Sequence, residues 1–171
     1  MTKNSRLTSL QIDNSIFPFT QSRYSSANMS DNKSASIPLS GVWRATVSAR
    51  RKEGLTKEEF SRRFARHGTL AGPVVVKHNG ISYLQHHLTD TLANTFKEEL
   101  GPQLAPHFPI AEIDGITTLI FPTAKDLAAF FADPAHNESL NADVAEFADV
   151  TSVQFSVGDE LAVVQDGKLL L

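Results

Sequence analysis

The spacing of apolar side chains divides the chain from residue 41 onward into predicted strands and helices. VWRATVSAR at 42–50 alternates and is rich in β-branched and aromatic residues, which is typical of a strand. One face of this strand would carry Trp43, Ala45, Val47 and Ala49. The same alternation predicts three more strands, at 81–89, 115–121 and 151–164.

A helical period follows the first predicted strand. Thr56 and Glu59 form the T-x-x-E capping box of a helix start. The residues after them recur at steps of four, three and four on one helix face: Phe60, Phe64, His67 and Ala71. Gly72-Pro73 is expected to interrupt or end this helix. His67 therefore stands out as a polar side chain on an apolar stripe.

Shorter helices are predicted in the second half of the chain. A helical piece around Phe96 lies in an irregular region at 90–114. Thr123 is the expected N-cap of a helix that runs through Phe130. A further helix begins near Asp133-Pro134, with a stripe of Leu140, Val144 and Phe147.

The resulting order, β-α-β-β-α-β, predicts a ferredoxin-like α+β fold. Four antiparallel strands would form one sheet, with both helices on one face. The second sheet face also needs cover. Apolar residues on both faces, such as Tyr83 and Leu84 or Leu119 and Ile120, predict a homodimer whose sheets pack face to face.

Residues 1–40 differ in composition from the rest. They hold ten serines, four basic residues and two acids, without sustained periodicity, and are expected to be disordered. An over-extended gene start, with Met29 as the true first residue, is favoured over a mitochondrial transit peptide, because no arginine-rich amphipathic helix is evident. Residues 41–171 would form one folded domain.

Composition excludes several classes of function. A net charge of −3 and a pI near 6.0 provide no basic field for nucleic acid. The absence of cysteine excludes disulfides, thiolate zinc sites and a cysteine nucleophile, and fits a cytoplasmic protein. No apolar run approaches the roughly 20 residues of a membrane span, so no membrane partner is expected.

Two segments together resemble the EthD family. The first is R-x-x-G-L-T-x-E-E-F at 51–60, followed by a helix that ends in His67-Gly68. The second is FADPAHNESLNADVAEFADVTSVQFSVGDELAVV at 131–164, and the likeness covers roughly 41–166. It implies a dimeric α+β barrel, most like fungal decarboxylases and dehydratases of aromatic polyketide pathways that use no cofactor. Cyclases, isomerases and haem-degrading oxygenases share the fold, so the fold alone does not fix the reaction.

His67 is the principal catalytic candidate. It matches the histidine at the end of the first helix in the EthD signature, and its helix phase points it toward the sheet. Imidazole titrates near neutral pH, so it can both donate and remove protons. The alternative is a hydrogen-bonded histidine that packs the helix end.

His86 and His87 are adjacent on a predicted strand, so they point to opposite faces and cannot chelate one metal together. His87 shares its face with Tyr83 and Gln85, and is favoured over His86 to enter the cavity. There His87 or His86, together with Tyr83, would assist His67, and Gln85 would contact the substrate. The alternative places one in solvent and the other in the dimer interface.

Other candidates would shape the pocket. Apolar walls are expected from Trp43, Phe60, Phe64 and Phe130. Arg44 could hold a substrate carboxylate, although a structural ion pair is favoured. His78, His107 and His136 fall in predicted loops or beside turns and are assigned no chemistry.

The chain lacks the common phosphate-loop, dinucleotide, nucleophile-elbow and zinc-protease motifs, so neither cofactor nor metal is expected. The sequence therefore predicts a homodimeric lyase, decarboxylase or dehydratase, that acts on a small aromatic polyketide by histidine acid–base chemistry. The alternatives are a non-catalytic dimeric binding or stress protein, a cyclase or isomerase, and a haem-handling oxygenase.

Overall fold

The computed structural model of the 171-residue chain describes residues 41–170, so the predicted leader at 1–40 lies outside the described residues. The main elements are β1 (Trp43–Ala49), α1 (Lys57–Lys77), β2 (Ser82–His87), α2 (Asp90–Leu104), β3 (Gly115–Phe121), α3 (Ala124–Ala132), α4 (Asn141–Ala145) and β4 (Gln154–Gly158). No helix among them is long and apolar enough to cross a membrane.

The four strands form one antiparallel sheet in the order β2-β3-β1-β4. Leu119 in β3 pairs with Ala45 in β1 and with Tyr83 in β2, so these three side chains share one face. This order confirms the predicted ferredoxin-like α+β fold.

Helices α1 and α3 cover that face and enclose the core in two adjoining clusters. The first contains Ala45, Val75, Leu119, Phe121, Leu127 and Phe130; the second contains Phe60, Phe64, Phe147 and Ala148. Burying one such phenylalanine stabilises the fold by about 1.5–3 kcal/mol. The helix-facing side of the sheet therefore holds the buried core and also surrounds the candidate site.

The prediction that Gly72-Pro73 would interrupt or end α1 is wrong, because the helix continues through Pro73 to Lys77. Its final turn buries Val75, which is only 3% exposed, while Pro73 faces solvent. The stabilisation gained by burying Val75 thus offsets the loss of the one backbone hydrogen bond that Pro73 cannot make. The helix ends where Asn79 adopts a left-handed φ of 62°.

Three other elements differ from expectation. Helix α2 spans 15 residues rather than one short piece, but Gly101, with a φ of 70° and a ψ of 173°, is not helical and divides it into two helical pieces. The predicted helix after Asp133 is a π-helical turn at His136–Leu140 that leads into α4. The last predicted strand is only five residues long, and a small hairpin of β5 (Val164–Gln165) and β6 (Lys168–Leu169) follows it.

Candidate active site

A cavity of about 470 Å³ lies between the sheet and the helical layer. This helix–sheet cavity is mostly apolar, with walls from both phenylalanine clusters. Among residues 41–170, five polar side chains also line it: His67, Tyr83, Thr117, His136 and Asn141. An apolar hollow of this size with a few convergent polar groups is typical of a small-molecule site.

His67 lies on the cavity-facing side of α1, one turn after Phe64, and its side chain is 12% exposed. Its Nδ1 is 3.0 Å from Oδ2 of Asp143. Because a carboxylate only accepts hydrogen bonds, Nδ1 is the nitrogen that carries the proton in the neutral ring, and Nε2 of that tautomer has a free lone pair. Within residues 41–170, no protein group is bonded to Nε2. An acid–base histidine oriented by a carboxylate has this arrangement.

His136 is the first residue of the π-helical turn and lies on the cavity wall. Its ring makes edge contacts with Phe130 and Phe131, at centroid distances of 5.2 and 5.1 Å. Burial lowers the pKa of His136, and the charge of His67 lowers it further, while Asp133 acts in the opposite direction. His136 is therefore a neutral imidazole near pH 7, able to donate one hydrogen bond.

Tyr83 in β2 contributes a phenol to the sheet side of the cavity. The side-chain amide of Gln85 donates to the Tyr83 hydroxyl at 3.2 Å and to the Phe64 carbonyl at 2.6 Å. Burial raises the pKa of Tyr83, against the opposing effect of hydrogen bonds from Gln85 and Thr117. The phenol therefore stays protonated at neutral pH and serves as a donor.

Asp133 fixes the start of the segment that carries His136 and Asp143. Its carboxylate accepts hydrogen bonds from Lys77 Nζ at 2.6 Å, from His78 Nε2 at 2.7 Å and from the backbone N–H of Ala135. These contacts, led by Lys77, hold the pKa of Asp133 far below its usual range. The end of α1 is thereby fastened to the start of the segment that carries His136.

His86 and His87 lie outside this cavity. They point to opposite sheet faces as predicted, and His87 takes the helix-facing side with Tyr83 and Gln85. However, His87 Nδ1 bonds Ser61 Oγ at 2.7 Å. Both histidines line a second, more open hollow of about 1760 Å³ beside α2. Burial, followed by the charge of His86, lowers the pKa of His87.

The remaining candidates divide between the cavity and the surface. Phe60, Phe64 and Phe130 line the helix–sheet cavity, whereas Trp43, Gln85 and Arg44 do not. Arg44 lies on the opposite sheet face, where its Nε donates to Glu160 at 2.7 Å, as the ion-pair interpretation expects. In the part of the chain that the structure describes, no three acidic or histidine side chains are arranged to hold a metal ion.

Sequence reasoning missed His136, Asn141, Asp143 and Thr117. The π-helical turn that brings His136 inward has no sequence signature. Asp143 could have been found, because it lies three residues after Leu140 and four before Phe147, within the apolar stripe.

Fold and site together define a ferredoxin-like domain with a histidine–aspartate pair at an apolar cavity. Residues 52–151 match the EthD domain, and the chain belongs to this family, as the sequence resemblance indicated. Dehydratase aurZ of Gibberella zeae is 26% identical over 126 residues, covering 73% of this chain and 81% of that protein.

Two solved structures are similar at low identity. A hydroxynitrile lyase from Passiflora edulis is 14% identical, covers 72% of this chain and 97% of its own, and has a TM-score of 0.48. An EthD family protein from Bacillus halodurans is 10% identical, covers 70% of this chain and 99% of its own, and has a TM-score of 0.44.

Proposed function

We propose that this protein is a lyase that removes water from an aromatic polyketide intermediate by histidine acid–base chemistry, without a cofactor. The observation that carries the proposal is the His67–Asp143 pair at the wall of an apolar, ligand-sized cavity. The 26% identity to a dehydratase supports loss of water as the reaction.

The chemistry begins at a carbon beside a ketone. His67 Nε2 removes a proton from that carbon, and the electron pair moves to the ketone oxygen as an enolate. The protonated imidazole remains bonded to the Asp143 carboxylate, which stabilises its charge.

Donors on the other walls can stabilise the enolate. The Tyr83 phenol and the neutral His136 imidazole each offer one hydrogen bond, and both line the same cavity as His67. Preorganised donors in a site with little water stabilise developing negative charge more strongly than water does.

Water leaves in the second step. The enolate re-forms the carbonyl, a carbon–carbon double bond forms, and the β-hydroxyl departs with the proton that His67 carried. His67 returns to its starting state, so one substrate gives one alkene and one water. In a polyketide ring the new double bond completes an aromatic system, which provides the driving force.

The proposal includes a homodimer. The sheet face opposite the helices exposes Leu84 at 58% and leaves Ile116 and Ile120 partly uncovered within residues 41–170. A second sheet packed on this face would remove these side chains from water. Light scattering coupled to size exclusion measures the assembly, and a monomer at micromolar concentration would contradict this part of the proposal.

The test of the reaction is turnover of candidate aromatic hydroxyketones, followed by mass spectrometry. We expect loss of one water by the wild-type protein, and no turnover by His67→Ala with unchanged circular dichroism. His107→Ala is the matched control, because His107 is exposed and does not line the cavity. Near-normal activity of His67→Ala would refute the mechanism. If the wild-type protein removes carbon dioxide rather than water from the substrate, the reaction is a decarboxylation and not a dehydration.

A further inference from the structure

We infer that the helix–sheet cavity selects uncharged substrates over carboxylates, and that Asp143 is the residue that enforces this choice. The inference rests on the proposed function, since it names the charge class of the substrate at the same site.

The first support is the absence of a cation from the cavity wall. None of the described residues that line it is lysine or arginine. A carboxylate drawn from water into such a site would lose its hydration and gain no ion-pair partner. Dedicated carboxylate sites usually present an arginine fork or a lysine.

The second support is the charge of the catalytic pair. The Asp143 side chain is only 14% exposed and bonds His67 directly. With His67 neutral, the pair carries one negative charge, and with His67 protonated it carries none. His136 stays neutral because burial and His67 lower its pKa. The site therefore offers no net positive charge to an anion in either state.

Cations near the cavity are engaged elsewhere. Arg66 Nη2 is 3.4 Å from Asp143 Oδ1, but the Arg66 side chain is 71% exposed and does not line the cavity. Water and salt weaken the effect of such a surface charge. The Lys77 ammonium is paired with the Asp133 carboxylate, which His78 Nε2 also contacts.

The polar groups that do line the cavity suit a neutral ligand. Tyr83 and Thr117 offer hydroxyls from the sheet, and Asn141 offers an amide at the exposed rim. Such groups hydrogen-bond ketones and hydroxyls without requiring a charge. An acid precursor would consequently have to lose or mask its carboxylate, by decarboxylation, esterification or lactone formation, before it reaches this protein.

The test compares two ligands of nearly equal size that cannot eliminate water: 2-acetyl-1-naphthol and 1-hydroxy-2-naphthoate. They share the rings, the hydroxyl and one carbonyl, but only the second is an anion at pH 7.5. Calorimetric titration of the full chain should show the ketone binding at least about tenfold more tightly. Equal or tighter binding of the carboxylate, or no binding of the ketone, would overturn the inference.

Two variants probe the cause. Asp143→Asn removes the negative charge but keeps an oxygen that can accept a hydrogen bond from His67. The ratio of the carboxylate Kd to the ketone Kd should therefore fall at least about threefold. Asn141→Lys places a cation at the exposed rim and should shift the preference toward the carboxylate. An unchanged preference in both folded variants would contradict the role of charge. These binding measurements do not depend on turnover. If the protein prefers the ketone but has no lyase activity, the proposed reaction is wrong and the inferred charge selectivity stands.

Discussion

Gly115 in β3 and Phe64 in α1 are in such close contact that a Cβ atom on residue 115 would lie 2.8 Å from Phe64 Cε1. The same Cβ would lie 3.0 Å from Cε1 of Phe60. Both rings line the cavity, and so does Gly115. The missing side chain in the strand therefore allows two aromatic rings to reach the sheet.

Gly115→Ala should lower the free energy of unfolding by about 1–3 kcal/mol, because the added methyl forces buried rings out of place. Urea unfolding measures this loss. Gly158→Ala is the matched control, since residue 158 is also in a strand but has no atom within 4 Å of a new Cβ. Equal stability of the two variants would show that the rings at 60 and 64 can move at little cost.

Asp143→Ala should lower kcat by about 10²-fold with a smaller effect on KM, because in the proposed mechanism Asp143 positions His67 and does not itself line the cavity. The ¹⁵N shifts of His67 should change from one tautomer with Nδ1 protonated to a mixture, which a purely structural role would not produce. Arg66→Ala is the control, as its side chain touches the same carboxylate from the solvent side. A normal kcat together with a single tautomer would exclude this role.

His136 should make stability depend on pH below about 6.5, the ordinary pKa of histidine. Because burial lowers the folded-state pKa, the unfolded chain binds a proton in this window that the folded chain does not. The free energy of unfolding therefore falls as the pH is lowered through the window and is fully retained above it. His136→Phe should make this slope smaller in urea unfolding curves at pH values from about 5 to 7.5, and the part that comes from His87, whose pKa burial also lowers, should remain. The exposed His107→Ala should retain the full slope.

Pro73→Ala should raise the free energy of unfolding by about 1–3 kcal/mol, because alanine restores a backbone donor inside a continuous helix. Thermal and urea unfolding measure the gain. Pro122→Ala, at an exposed position just before α3, should have a much smaller effect. A less stable Pro73→Ala protein would mean that the restriction proline places on the unfolded chain outweighs the restored hydrogen bond.

The sequence predicted the strands and helix starts because their signals are local. Thr56 and Thr123 each accept a backbone hydrogen bond at 3.1 Å, as N-caps do. The cap at Thr56 is only half of a capping box, however. The Glu59 carboxylate binds Arg62 and Arg63 instead of the backbone N–H of Thr56. The end of α1 was misjudged because the burial of Val75 depends on tertiary packing, which no local rule for Pro73 includes.

The site was predicted only in part, for a geometric reason. Helix phase is enough to direct His67 toward the sheet. Strand phase placed His87 on the helix-facing side but could not show that Ser61 and Phe64 separate it from the cavity. The partners His136 and Asp143 come from 69 and 76 residues away along the chain, and only the π-helical turn and the fold bring them to His67.

Helix α2 contains no buried residue, so the sheet and its two phenylalanine clusters are complete without it. Its removal would exchange one long chain connection for a shorter one, and loop-closure entropy changes only slowly with length. The insertion between β2 and β3 can thus vary in length and composition at little cost to folding. Because the chain has no cysteine, a single thiol introduced there would also be a unique attachment point for a spectroscopic label.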